Sequence, residues 1–151
     1  MKEWDHDHDR DVDQVIGDFF VRRALFEELN GFDERFSVYF EKVDVCYRVR
    51  KSGWRSIYLS GAVAFHAGGG TFGQVKYKRL FYSLRSRLLY GFKHFSYFSA
   101  YVLLVVALLG KLFSRILFTF RGRNIVDLGN TLRGYCVLFL NLPKILKNFR
   151  K

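Results

Sequence analysis

Glu41, Asp44 and Arg48 are two carboxylates and a guanidinium at helical spacing. Residues three and four apart on a helix share a face, so the three are expected to project together. They follow an aromatic, glycine-led turn, Gly31-Phe32-Asp33-Glu34-Arg35-Phe36. Such a face beside such a turn could hold a sugar hydroxyl or a metal-bound diphosphate. It could equally be a solvated ladder of ion pairs, which contributes little.

The elements that would position this face are short. Ala24 to Leu29 reads as a helix with Asn30-Gly31 as its left-handed stop. A second helix is expected from about Tyr39 to Lys51, ended by Ser52-Gly53. Val15 to Val21 reads as an apolar strand interrupted by Asp18. Trp54 to Leu59 and Ala62 to His66 read as strands around a Ser60-Gly61 turn.

The run from Asp5 to Asp13 alternates acids with His6, His8 and Arg10. It contains D-x-D spacing and Asp/His pairs that could meet a metal. No apolar strand precedes it, however, so a solvated loop is expected. Gly68, Gly69 and Gly70 admit two readings. They either let backbone amides approach a diphosphate, with His66 beside them, or form a plain exit from the last strand.

The net charge of +11 is unevenly divided. Residues 1–70 carry ten Lys/Arg against thirteen Asp/Glu, and residues 71–151 carry fifteen against Asp127 alone, giving −3 and +14. A basic half of this kind meets an anionic partner. Tyr77, Leu80, Phe81, Leu84, Leu88 and Phe92 recur at helical steps among Lys76, Lys78, Arg79, Arg85, Arg87 and Lys93, an amphipathic cationic helix. No nucleic-acid recognition motif accompanies them, so nucleic acid is not the expected partner.

Phe95 to Leu109 is fifteen residues without a formal charge, short of the roughly 20 a bilayer span needs. Extension to Phe120 takes in Lys111 and Arg115, each costing about 2.5–3.5 kcal/mol at mid-membrane. A hairpin, an in-plane helix, a span and an ordinary helical core all remain open. Leu132 to Leu142 is a second apolar stretch, closed by Pro143 and a basic tail. An anionic leaflet attracts such flanking cations at about 1 kcal/mol each. Cys46 and Cys136 have no metal-ligand spacing and point to a reducing compartment. With an acidic, polar N-terminus, no cleavable signal is expected.

The wording of the whole 4–95 stretch resembles family-two inverting glycosyltransferases, in particular rhamnosyltransferase-like members. Gly31 to Phe36, Phe40, Glu41, Asp44, Val45 and Arg48 match a G-F-D-E-x-F … F-E-[DE]-x-D-[LFV]-x-x-R pattern. Trp4-Asp5-His6-Asp7 with Arg10, Val12 and Asp13 resembles the lead-in W-D-H-D-x-x-R-x-V-D. Phe65 to Thr71 resembles the closing H-x-G-G-G-[ST] loop.

That resemblance implies an α/β fold: the C-terminal part of a GT-A, Rossmann-like transferase domain in residues 1–72. A helical, basic, apolar region follows in 73–151. It implies a nucleotide-sugar donor and a growing-glycan or lipid-linked acceptor, with the donor-binding half supplied outside these residues. It also implies a divalent metal, Mg or Mn, with His66 as a metal ligand. Asp44 or Glu41 would act on the acceptor, and Arg48, Asp33, Trp4, Asp5, His6, Gly68 and Gly69 would contact substrate. The location implied is the cytoplasmic face of a bacterial inner membrane, peripheral or with one short inserted segment. The family usually places its general base at the position of Lys42, and an ammonium cannot accept a proton. Glu41 or Asp44 must then serve, the spacing to Arg48 favouring Asp44, or the chain is a non-catalytic membrane-binding or assembly fragment.

Overall fold

Two helix stops organise the first part of the chain, and both are built by backbone alone. The computed structural model describes residues 7–15, 17–65, 76–120 and 125–147. After strand β1 (Arg10–Val12) comes helix α1 (Arg23–Glu28). Asn30 N–H donates to the Glu27 carbonyl at 2.9 Å and Gly31 N–H to the Phe26 carbonyl at 2.8 Å. Asn30 has φ 58° and Gly31 φ 65°. This is the Schellman closure, which uses residues tolerant of the left-handed region.

Helix α2 (Glu41–Lys51) ends the same way. Gly53, at φ 81°, donates to the Arg50 carbonyl at 3.0 Å, and Trp54 N–H to the Val49 carbonyl at 3.2 Å. Strand β2 (Ser56–Tyr58) then pairs antiparallel with β1, Asp11 facing Ile57. Leu25, Val45 and Val49 form the core of this unit, with Phe19, Val21, Phe26 and Leu29 packed on it.

Several sequence expectations shift here. The described part of Val15–Val21 forms no strand: Phe19 and Val21 reach the core, whereas Phe20 is wholly exposed. Pairing goes instead to Arg10–Val12, where a loop was expected, because side chains on both strands hold the ribbon. Ala62 to Phe65 is irregular, with Val63 and Phe65 exposed and no partner strand among the described residues. An α/β class was expected for residues 1–72; the described residues there form two helices and one antiparallel ribbon.

The chain divides into two compact units, Met1–Glu34 with Phe40–Gly68, and Arg35–Tyr39 with Gly69–Lys151. The second holds α3 (Lys76–His94), α4 (Tyr97–Phe120) and α5 (Ile125–Lys147). Leu84, Leu88, Tyr135, Leu138 and Ile145 form its buried core. Tyr135 carries its hydroxyl in among them and donates to the Leu108 carbonyl at 2.7 Å. Pro143 lies inside α5 and does not close it. A proline removes one helical hydrogen bond, and the burial of Ile145 holds the last turn regardless.

Glycines let α3 approach its neighbours. A Cβ on Gly134 would sit 3.1 Å from the Tyr77 carbonyl oxygen and 3.0 Å from Leu80, while one on Gly129 would meet nothing. Gly134→Ala is therefore expected to destabilise by about 1–3 kcal/mol through overpacking. Gly129→Ala, in the same helix, is expected to stabilise by about 0.5–1 kcal/mol. Chemical denaturation of the two variants measures the contrast, and equal effects would refute the close approach.

Candidate functional site

Asp44 and Arg48 meet as their spacing requires, but inside the protein. Arg48 Nε donates to Asp44 Oδ2 at 2.9 Å, with the Asp44 side chain 0% and that of Arg48 18% exposed. The rest of the fork reaches the end of α1. Nη1 donates to the Leu29 carbonyl and Nη2 to the Gly31 carbonyl, the latter at 2.6 Å. These carbonyls lie at the negative end of a helix, where cations are favoured. One guanidinium thus neutralises a buried carboxylate and caps a neighbouring helix.

Glu41 is placed differently. It is the first residue of α2, is half-buried, and its Oε2 is enclosed without a hydrogen-bond partner. A buried polar atom left unsatisfied is rare, and catalytic groups are one place where it occurs. The backbone leading into it is strained as well. Tyr39 and Phe40 have φ 67° and 68°, and for bulky residues that is an outlier. Each such residue costs about 1–3 kcal/mol, and this kind of strain clusters at active sites and ligand clamps. Phe40 makes no side-chain cap for α2, although its carbonyl accepts from Asp44 N–H at 2.8 Å. Nothing in residue type marks Tyr39 and Phe40 as left-handed, so this feature escapes sequence reasoning.

The remaining candidates are dispersed. Lys42 Nζ donates to the Gly17 carbonyl at 2.6 Å, so it ties the loop before α1 to α2. Asp33 is half-buried in the turn after α1. Trp4, Asp5, His6, His66, Gly68 and Gly69 lie outside the described residues. Among the described residues no three His, Cys, Asp or Glu side chains gather to hold a metal ion. No set of described residues fits the divalent metal.

In the described part of the acidic run Asp9, Asp11 and Asp13 stay exposed, as a solvated run would, and each is also tethered. Asp9 Oδ1 accepts from Ser60 N–H at 2.7 Å and from its hydroxyl at 2.9 Å. Asp11 accepts from Arg55 at 3.2 Å and Asp13 from Arg50 at 2.6 Å. Arg10 lies over the Tyr58 ring, 5.2 Å from its centroid. The Ser60 amide and then its hydroxyl hold the Asp9 carboxyl below its usual range.

A stretch of 46 residues is 46% identical to the N-acetylglucosaminyl-diphospho-decaprenol L-rhamnosyltransferases of two Mycobacterium tuberculosis strains, CDC 1551 / Oshkosh and ATCC 25618 / H37Rv. Over that stretch the chain is related to glycosyltransferases. The match covers 30% of this chain and 15% of each relative. No protein-family model and no solved structure matches the chain.

Two outcomes follow from this geometry. Asp44→Asn and Arg48→Ala each leave a buried group uncompensated, and each is expected to cost about 3–5 kcal/mol in denaturant unfolding. Arg48→Lys is expected to recover little, because an ammonium lacks the planar fork that meets three acceptors. For Asp9 the folded pKa is depressed, so its stabilisation is complete above the unfolded carboxylate range and is lost as pH falls below about 4. An NMR titration in which the Asp9 carboxyl shows an ordinary pKa would contradict the Ser60 tether.

Proposed function

We propose that this chain is the acceptor-side part of a glycosyltransferase. It would transfer a sugar from a nucleotide-sugar donor to a glycan or lipid-linked acceptor at the cytoplasmic face of a bacterial membrane. The relationship to the mycobacterial rhamnosyltransferases carries the reaction class. Their names specify a sugar carried on a diphospho-decaprenol, and a polyprenyl-diphosphate-linked sugar is accordingly the acceptor class proposed here.

Within this reading Glu41 takes the acceptor proton. Asp44 is fully buried and bound to Arg48, whereas Glu41 is only half-buried and has one carboxylate oxygen without a hydrogen bond. Transfer inverts the anomeric carbon in one displacement. As the acceptor oxygen forms its bond to that carbon, its proton passes to the Glu41 carboxylate and the bond to the nucleotide diphosphate breaks. A positioned carboxylate contributes about 10²–10⁴-fold in such a step. Asp44 and Arg48 act through position, holding the first turn of α2 against the end of α1.

Lys42 favours a second reading, a non-catalytic fragment, because the position that usually bears the base is committed to a structural bond with Gly17. The two readings separate in an assay of the chain combined with a nucleotide-sugar-binding half and a polyprenyl-diphosphate-linked sugar. Glu41→Gln is expected to lower kcat about 10²–10⁴-fold with unfolding stability retained. Transfer undiminished in Glu41→Gln would remove Glu41 from the mechanism. Absence of transfer by the unsubstituted chain with every donor tried would support the fragment.

A further inference from the structure

Helix α4 passes a simple test for a membrane span, since Tyr97–Ser114 has a mean hydropathy of 1.8. At 24 residues it is about 36 Å long, enough for a hydrocarbon core of about 30 Å. We propose that it nevertheless lies along an anionic lipid surface, outer face down, and does not cross the bilayer.

The argument rests on what is packed beside it. Helix α3 runs back along α4 from the Phe95-Ser96 turn. A Cβ on Gly91 would sit 3.3 Å from Leu103 and 3.8 Å from Ala100. Farther along, Arg87 and Leu84 line a shared recess with Leu104 and Leu108. Whatever depth the middle of α4 takes, Arg87 takes as well.

The neighbours of Arg87 make that depth untenable. Arg85 donates to the Arg35 carbonyl at 2.9 Å and to Ser37 Oγ at 3.3 Å, and Ser86 donates to the Val38 carbonyl at 2.7 Å. Lys93 lies 5.6 Å from the Phe36 ring centroid. A crossing α4 would carry two arginines, a lysine and the irregular 35–39 backbone into the hydrocarbon. Irregular backbone is excluded from lipid-exposed positions there.

Lying flat resolves the conflict. Phe98, Tyr101, Val102, Val105, Val106 and Leu109 are all exposed and recur at helical steps, forming a face opposite the one packed on α3. Interfacial helices bury such a face about 5–10 Å deep. The occupant is lipid and not a second copy of the chain, because residues 71–151 carry a net +14. Like charge of that size repels a copy and attracts anionic headgroups. This placement deepens the membrane side of the proposed function, but its test reads no sugar transfer, so the two can fail separately.

The test uses the full chain with Cys136→Ser, the buried Cys46 left in place, and one added cysteine in turn at Phe98, Val106 and Phe113, each labelled with an environment-sensitive fluorophore. The vesicles are mixed phosphatidylglycerol and phosphatidylcholine, with nitroxides either near the headgroups or near the bilayer centre. All three sites are expected to be quenched several-fold more by the shallow nitroxide, with binding lost on pure phosphatidylcholine. Strong quenching of Val106 by the deep nitroxide, with Phe98 and Phe113 shallow, would establish a span and overturn the proposal. Failure to bind anionic vesicles, or labels shielded in a lipid-free dimer, would overturn it equally.

Discussion

The three-way grip of Arg48 is the interaction on which the first unit depends. The Schellman closure of α1 leaves the Leu29 and Gly31 carbonyls facing α2, and a carbonyl removed from water must find a donor. Asp44, on α2, is fully buried and requires a cation. A guanidinium meets both demands at once, since its donors are fixed in a planar fork. The apolar contacts of Leu25 with Val45 and Val49 supply burial but no direction. Arg48 sets the angle and register at which the two helices meet.

That grip also bears on the strain next to it. Consecutive left-handed aromatics persist only where their surroundings over-determine them. On one side the Arg35 and Val38 carbonyls are held by Arg85 and Ser86. On the other, the Phe40 carbonyl accepts from the amide of Asp44, whose side chain Arg48 fixes.

Local chemistry was legible in the sequence, and long-range chemistry was not. Asn30-Gly31 and Ser52-Gly53 announce their turns because left-handed backbone selects those residue types. The pairing of Asp44 with Arg48 follows from helical periodicity, but its burial does not. The acceptors that draw the pair inward are backbone carbonyls, which leave no mark in residue type. The Asp9, Asp11 and Asp13 carboxylates resemble a metal motif or a solvated run because their partners, Ser60, Arg55 and Arg50, lie 37–51 residues away. Val15–Val21 has the composition of a strand, but its described residues find no ladder partner, and Phe19 and Val21 pack on the core while Phe20 stays exposed. Trp4, Asp5, His6, His66, Gly68 and Gly69 rest on the resemblance alone.

The second unit shows why composition is a weak guide to membrane topology. A hydropathy window sums the residues of one helix and takes no account of what is packed against it. From Ala100 to Leu109 helix α4 is apolar all round, and such a stretch must be covered on every side. Leu104, Leu108 and Leu112 pack on the core shared with α3 and α5, while Phe98, Val106, Leu109 and Phe113 remain open. The cover on the inner side brings arginines with it, and these forbid the hydrocarbon that the outer side requires. In the proposed placement, a flat boundary between water and lipid satisfies both faces at once. The basic surplus of residues 71–151 is then an attractive term at that boundary, where at mid-bilayer the same charges would be a penalty.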